Sequence, residues 1–331
     1  MKAVVMNATG EADVLDYVDL PKPEISAADQ VLVRLHAAGV NPVDIKMREG
    51  FYNIDPLPFT LGFDGAGVVE EVGDDVADFK PGDEVIVFFC SFGDRQGCYA
   101  EYVLTTDRSI APKPASLSYA EAASLPLSFL TAWESLRDRA NVQEGQSVLI
   151  HAGAGGVGQF AIQLAAARGA TVYTTVGSKE KAEFVKGLGA KEAILYKETD
   201  FAGAVNDFTR GKGVDATLDF VGGDIFPQSV PATKHYGRLV TLLKIAPEVD
   251  LSAARLRNQS IGFVLVLSPL IFNLRDEQSR QRDILEQASK LVADGKLRTH
   301  VSNTFTLEQA RDAHNEVAKG STTGKVVMTI A

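Results

Sequence analysis

The stretch Ser147-Val148-Leu149-Ile150-His151-Ala152-Gly153-Ala154-Gly155-Gly156-Val157-Gly158 decides the fold. Its first half, 147–152, is a short aliphatic run of the kind buried in a parallel sheet. Its second half is a glycine string opening a helix predicted from Gly156 to Arg168 and closed by Gly169. Glycine-rich turns are common, and the string alone carries little. Set between a strand and a helix, it has a mechanism. Gly153 permits the tight turn, Gly155 lets the backbone approach a pyrophosphate, and Gly158 lets the helix pack close to the strand. The helix N-terminus at Gly156 and Val157 then presents N–H groups to the anion. Gly153, Gly155, Gly156, Val157 and Gly158 are therefore the candidate cofactor-binding loop.

The alternation continues downstream. Strands are predicted at 170–176, 193–195, 214–219, 238–242 and 262–266, with a helix over Lys179–Gly187 between the first two. This is the pattern of a doubly wound parallel sheet, an α/β architecture with helices on both faces. A dinucleotide with a free ribose 2′-hydroxyl usually meets an Asp or Glu at the end of the second strand. Residues 171–179 contain no carboxylate, and Ser178, Lys179 and Lys181 offer a hydroxyl and two cations instead. A carboxylate would repel a 2′-phosphate and this set attracts it, so NADP(H) is the expected cofactor. Solvated helix-start lysines are the competing reading of the same residues.

The first third of the chain has a different texture. Ala3–Met6, Gln30–Leu35 and Glu84–Phe89 are strand-like runs, and Gly62, Gly65, Gly67, Gly73 and Gly82 punctuate the sequence between the last two. Glycine at that density fits the turns and bends of a small barrel. Ser118 and Glu121 form a capping box that starts a helix. In the tail, Ile284, Leu285, Ala288, Leu291 and Val292 make one apolar helix stripe, Thr306-x-x-Gln309 opens a second helix, and 325–330 reads as a final strand. Two helices and a strand are too little for a third domain. The expected organisation is 1–124 as the first part of one domain, 125–267 as the nucleotide-binding domain, and 268–331 returning to the first.

Composition narrows the function classes. At roughly 150 residues per domain, 331 residues make about two domains. With 45% hydrophobic and 23% charged residues, disordered, collagenous and coiled-coil classes are excluded. The net charge, 33 − 43 = −10, argues against a broad nucleic-acid surface. Cys90 and Cys98 are the only cysteines, too few for a disulfide framework or a four-thiolate zinc site, which fits a reducing compartment. Met1–Val5 runs straight into Glu11, Asp13, Asp16 and Asp19 without an apolar signal core. The greasiest stretch, 261–274, is interrupted by Gly262, Ser268, Pro269 and Asn273. A cytoplasmic protein without a membrane partner is expected.

Six stretches in order carry a family resemblance. They are Ala37-Ala38-Gly39-Val40-Asn41-Pro42-Val43-Asp44, Pro58-Phe59-Thr60-Leu61-Gly62-Phe63-Asp64-Gly65-Ala66-Gly67-Val68-Val69, Gly97-Cys98-Tyr99-Ala100-Glu101-Tyr102, Leu130-Thr131-Ala132-Trp133, the loop 151–158, and Leu218-Asp219-Phe220-Val221-Gly222-Gly223. On these the chain resembles, over essentially its whole length, the zinc-independent quinone oxidoreductase (zeta-crystallin-like) branch of the medium-chain dehydrogenase/reductase superfamily. The resemblance implies a GroES-like β-barrel catalytic domain built from both chain ends, with the Rossmann domain inserted and the cofactor in the cleft between them. It also implies a homodimer, often formed through edge strands of the Rossmann sheet. The run 263–267 suits that role, and core burial suits it equally.

The resemblance assigns residues as well. Zinc-dependent members of the superfamily need a cysteine where Asn41 stands and a histidine where Phe63 stands. Neither residue is an ordinary zinc ligand, so no metal is expected. Asn41 is implied beside the nicotinamide and ribose; by sequence alone it also fits a turn residue before Pro42. Tyr52 matches a family tyrosine that hydrogen-bonds the substrate oxygen or relays a proton, and it equally fits an ordinary loop tyrosine. Thr131 is implied near the cofactor phosphates or nicotinamide, and Tyr196 beside the 2′-phosphate with Lys181. Relatives often complete that phosphate pocket with an arginine near the C-terminus, where this chain offers Lys319 and Lys325. Asp44 reads as structural, as do the five scattered histidines. Phe51, Phe59, Phe92 and Phe129 are expected to set the pocket size, Phe129 by steric bulk alone.

A hydride enzyme without a metal needs an acceptor that is already electrophilic, which quinones and α,β-unsaturated carbonyls are. The expected function is NADPH-dependent reduction of such a small carbonyl substrate, with Asn41 and Tyr52 as catalytic residues. Two alternatives remain: an enoyl-thioester reductase, which would need a basic channel for a carrier phosphate, and a low-turnover NADPH-binding sensor or structural protein.

Overall fold

Short β-branched runs bounded by glycine and proline become strands along the whole chain. The computed structural model describes residues 1–52, 56–91 and 93–331. The first segment carries β1 (Lys2–Met6), β2 (Leu15–Asp19), β3 (Gln30–Val40), β4 (Phe59–Thr60), β5 (Asp64–Val72), β6 (Glu84–Phe88), β7 (Tyr102–Thr106) and β8 (Ile110–Pro112). Next come β9 (Ser147–Ile150), β10 (Thr171–Val176), β11 (Glu192–Leu195), β12 (Val214–Asp219), β13 (Thr233–Thr241) and β14 (Ser260–Phe263), and the tail adds β15 (Val301–Thr306) and β16 (Lys325–Thr329). The helices are α1 (Pro42–Arg48), α2 (Tyr119–Ala123), α3 (Pro126–Trp133), α4 (Gly156–Ala167), α5 (Lys179–Gly187), α6 (Phe201–Phe208), α7 (Ile225–Ser229), α8 (Ser252–Leu256), α9 (Ser268–Ile271), α10 (Arg275–Ala293) and α11 (Ala310–Ala318). None of these is long and apolar enough to cross a membrane.

The chain divides into two compact units: Met1–Leu127 together with Leu267–Ala331, and Ser128–Val266. In the first unit, β2-β1-β4 form one sheet and β15-β16-β3-β5-β6-β8 another, to which β7 adds by pairing with β3. β3 changes neighbours along its length. Its first half, 30–34, pairs with β7, and its second half, 37–40, pairs with β16. The β3–β5 register shifts between Leu35 and Ala37, and such a bulge bends a strand and re-aims the residues beyond it. That second half is built from small residues because it is crowded. A Cβ on Gly39 would meet the Ala123 carbonyl oxygen and lie 2.9 Å from the Asp64 Cβ.

The tail is held by polar as well as apolar burial. The stripe Ile284, Leu285, Ala288 and Val292 is buried on α10. Upstream on the same helix, Gln278 is buried and donates to the Pro269 carbonyl at 2.8 Å, and Arg282 pairs with Asp78 at 2.7 Å.

In the second unit the order β11-β10-β9-β12-β13-β14 is parallel throughout. The strand order reverses direction beside β9, and in such sheets ligands bind past the carboxyl ends of the strands at that point. Leu149, Tyr173, Ile194, Phe201, Val205, Val214 and Ala232 pack one part of its core, and Phe226, Val230, Leu239 and Ala254 another. The strand expected at 262–266 is displaced to 260–263. Its pairing ends with Thr241 against Phe263 because β13 itself ends at Thr241.

Candidate active site

The glycine loop follows β9, and the structure gives each of its glycines a separate reason. A Cβ on Gly153 would collide with the Thr174 hydroxyl, and one on Gly158 with the Ala152 carbonyl oxygen and the Gly153 Cα. These two serve the close approach of helix and strand. A Cβ on Gly155 would meet only the Ala152 carbonyl oxygen, at 3.2 Å. Its missing side chain therefore leaves clear the approach to the α4 N-terminus, whose first N–H groups at Gly156, Val157 and Gly158 lack intrahelical acceptors. This cradle fits a pyrophosphate.

The loop is braced from below. His151 is buried, with Nδ1 3.1 Å from the Thr175 hydroxyl and Nε2 2.9 Å from the Ser229 hydroxyl. Burial pushes its pKa down to about 3, so the ring is neutral. Ala152 next to it takes the left-handed conformation, φ 54°, uncommon for a residue other than glycine.

At the end of β10 the hydroxyl of Ser178 caps α5 by accepting from the Lys181 N–H at 3.3 Å. Tyr196 is 51% exposed and lies over Gly177, whose Cβ would sit 3.4 Å from the phenol oxygen and 3.7 Å from Lys197 Cε. Burial and the neighbouring Lys197 ammonium hold the Lys181 pKa below its ordinary value. Ser178, Lys181 and Tyr196 thus come together, and Lys197 joins them. Sequence reasoning missed Lys197, although it directly follows Tyr196. Two ammonium groups beside a hydroxyl and a phenol fit a dianionic 2′-phosphate. Thr131 is buried on α3.

The first unit holds a buried polar cluster where β3 runs into α1. Pro42 at the first position of α1 makes Asn41 its N-cap, and the Asp44 carboxylate accepts the Asn41 backbone N–H at 2.8 Å. Strand register does the rest: Gly39 lies opposite Asp64, and Val40 opposite Val326. Asn41 Nδ2 donates to Asp64 Oδ2 at 2.8 Å, and the Lys325 ammonium donates to Asn41 Oδ1 and, at 3.1 Å, to Asp64 Oδ2. The other Asp64 oxygen accepts from the Leu127 N–H at 2.7 Å. Beside this group, Asp44 also accepts from the Tyr99 hydroxyl at 3.1 Å, and His314 Nε2 lies 3.2 Å from the same hydroxyl. Burial pushes the Asp44 pKa up to about 7, with the nearby Asp64 charge adding to it.

Several sequence expectations change here. Lys325 does not reach toward a phosphate pocket: its side chain is 4% exposed and committed to Asn41 and Asp64. Lys319 pairs with Glu316 at 2.6 Å. Phe129 is fully buried between Trp133 and Phe160, a core residue and not a wall over a ligand. Phe59 and Phe63 are buried as well, whereas Phe51 is 68% exposed. Tyr52 is half-buried with its ring edge-on to Phe51, and burial raises the pKa of its phenol. Phe92 lies outside the described residues. Among the described residues no group of three or more His, Cys, Asp or Glu is placed to hold a metal ion.

Comparison with known proteins gives the lineage. Residues 27–115 match the alcohol dehydrogenase GroES-like domain, and residues 188–328 match a family described as zinc-binding dehydrogenase. The mouse (Mus musculus) quinone oxidoreductase is 33% identical over 338 aligned residues, covering all of this chain and 98% of that protein. A phenolphthiocerol/phthiocerol polyketide synthase subunit from Mycobacterium tuberculosis is 35% identical over 325 residues, 97% of this chain but 14% of that protein. Among solved structures, the quinone oxidoreductase of Coxiella burnetii superposes with a TM-score of 0.87 at 38% identity, covering 100% of this chain and 99% of that one. An NAD-dependent alcohol dehydrogenase gives 0.90 at 35%, with both chains covered completely. A mycobacterial protein complexed with NADPH gives 0.88 at 31%, covering 99% of this chain and all of that one. The fold is that of oxidoreductases which bind a nicotinamide cofactor, and the chain belongs to the medium-chain dehydrogenase/reductase superfamily, among the homologues of quinone oxidoreductase.

Proposed function

We propose that this protein is an NADPH-dependent oxidoreductase that reduces quinones or α,β-unsaturated carbonyls by hydride transfer, without zinc. The observation that carries the reading is the donor set at Asn41. In zinc-dependent relatives this position and that of Phe63 hold metal ligands. Here the Asn41 carboxamide is engaged on both sides by Asp64 and the Lys325 ammonium, and Phe63 is a buried hydrocarbon. An amide, a phenyl ring and an ammonium do not make a zinc site. The metal implied by the name of one family model does not fit these residues.

The other half of the reading concerns the dinucleotide. Bound NADPH would supply a hydride to an electrophilic carbon, leaving the electron pair on the substrate oxygen. The loop 153–158 holds the pyrophosphate at the α4 N-terminus, and Ser178, Lys181, Tyr196 and Lys197 hold the 2′-phosphate. Asn41 orients the nicotinamide end, and Thr131 lies along the cofactor. The Tyr52 phenol, kept protonated by its raised pKa, hydrogen-bonds the developing enolate oxygen or passes it a proton. The open edge strand β14, with Phe263 55% and Leu265 44% exposed, supports assembly as a homodimer.

A steady-state screen of NADPH oxidation tests the reading. Quinones and enones should turn over equally with and without a chelator, and alkanols should not. A chelator effect, or alkanol dehydrogenation, would overturn it. Isothermal titration should give tighter binding of NADPH than of NADH, and Lys181→Ala should cost NADPH about tenfold while leaving NADH unchanged. A second reading, reduction of enoyl-thioesters, is favoured by the 35% identity to a segment of a polyketide synthase. Enoyl-thioesters therefore belong in the same screen.

A further inference from the structure

Lys325 has no task in the reaction just described, yet the fold goes to some length to place it. A buried ammonium is costly unless paired, and this one is brought 284 residues along the chain to meet Asn41. The antiparallel pairing of β16 with β3, Val326 against Val40, sets it there. Its effect on Asn41 follows from donor and acceptor counting. Oδ1 accepts from the ammonium and Nδ2 donates to the Asp64 carboxylate. Turning the amide over would set N–H groups against the ammonium and an oxygen against the carboxylate, two repulsive contacts in a buried place. Terminal amide torsions are otherwise broad, so the pair removes a freedom that asparagine ordinarily has. One Nδ2 hydrogen goes to Asp64 and one remains.

We propose that Lys325 is a positioning residue: with Asp64 it locks the Asn41 carboxamide in a single orientation, holding its remaining N–H for the nicotinamide end of the cofactor. The inference rests on the reading of Asn41 given under Proposed function. It makes Lys325 the cation that this site needs in order to aim an amide. The lysine has no phosphate role.

The test compares two ligands on the full chain by titration: NADPH, and 2′-phospho-ADP-ribose, which lacks the nicotinamide. Asn41→Ala should weaken NADPH about tenfold and leave the fragment unchanged. Lys325→Met should do the same, and Lys325→Arg should restore most of the loss. Lys325→Gln can donate to Asn41 or accept from it alike, so it too loses the lock and should weaken NADPH, and it serves where the methionine variant does not fold. Added to Asn41→Ala, either lysine variant should cost NADPH nothing further. If the losses add, or if fragment binding falls in parallel, Lys325 is a structural residue and the inference is overturned. The inference also fails alone if Lys325→Met and Lys325→Gln bind NADPH normally while Asn41→Ala does not. If Asn41→Ala binds NADPH normally, the reading of Asn41 itself has failed, and the inference falls with it.

Discussion

Gly155 and Gly158 stand three residues apart, and a methyl group at each meets a different obstacle. At 158 it collides with backbone, so Gly158→Ala should destabilise the fold by about 1–3 kcal/mol, read in a denaturant melt. At 155 it meets a single oxygen at 3.2 Å. Gly155→Ala should therefore melt near the wild-type temperature but bind NADPH at least about tenfold more weakly, by titration. The buried acid and the two buried histidines make a second prediction, with opposite signs. The folded pKa of Asp44 is raised from 3.8 to about 7, so the fold holds its proton longer than the unfolded chain does. Its contribution to stability is lost as pH rises from near 4 through 7. A shift of that size corresponds to on the order of 4 kcal/mol. His151 and His314 are lowered from 6.5 to about 3, so theirs is present above pH 6.5 and lost as pH falls toward 3. Asp44→Asn should remove only the first slope. Because the two histidines give up more protons on folding than Asp44 takes up, the wild type's unfolding free energy rises from pH 5 to 6.5, and that of Asp44→Asn should rise about twice as steeply, as urea titrations at each pH would show.

Elements differed in how legible they were, and packing chemistry explains the difference. The Ser118–Glu121 capping box, the start of α4 at Gly156 and the bounds of α5 and β12 stand where the sequence places them, because caps, glycines and apolar runs report local geometry. The beginning of α10 is different. Its apolar stripe starts at Ile284, yet the helix begins at Arg275, and its first turns are anchored by the buried polar side chains Gln278 and Gln281, which hydrophobic periodicity does not register. At the candidate site the same limit applies. The loop glycines and the missing carboxylate after β10 are visible as residue types at fixed spacing. Lys325 beside Asn41 is a product of strand register across 284 positions, and no local pattern carries it. Arg282 offers the test at this scale. It pairs with Asp78 at 2.7 Å and Glu286 at 3.4 Å, and lies 4.9 Å from the Phe79 ring centre. Arg282→Ala should cost about 1–2 kcal/mol, with high salt recovering only the ionic share, because the arginine stem also covers apolar surface.

At the scale of the whole molecule, the open edge of the parallel sheet matters most. β14 ends the sheet, and Phe263 within it and Leu265 just after it are both more than a third exposed. A run of exposed apolar side chains beside unpaired backbone invites association. The proposed homodimer should appear in sedimentation velocity, and Phe263→Lys should shift it toward monomer while leaving NADPH titration unchanged. The first unit, for its part, is assembled from two segments separated by the nucleotide-binding unit, and β16 slots in against β3 only from the second of them. On a translating ribosome the dinucleotide cradle would be finished while Asp64 still waited for its counter-charge. A nascent chain halted short of residue 325 would thus have its glycine loop complete while Asp64 lacked the ammonium it meets in the finished fold, and under the proposed function it would bind the dinucleotide without a locked Asn41.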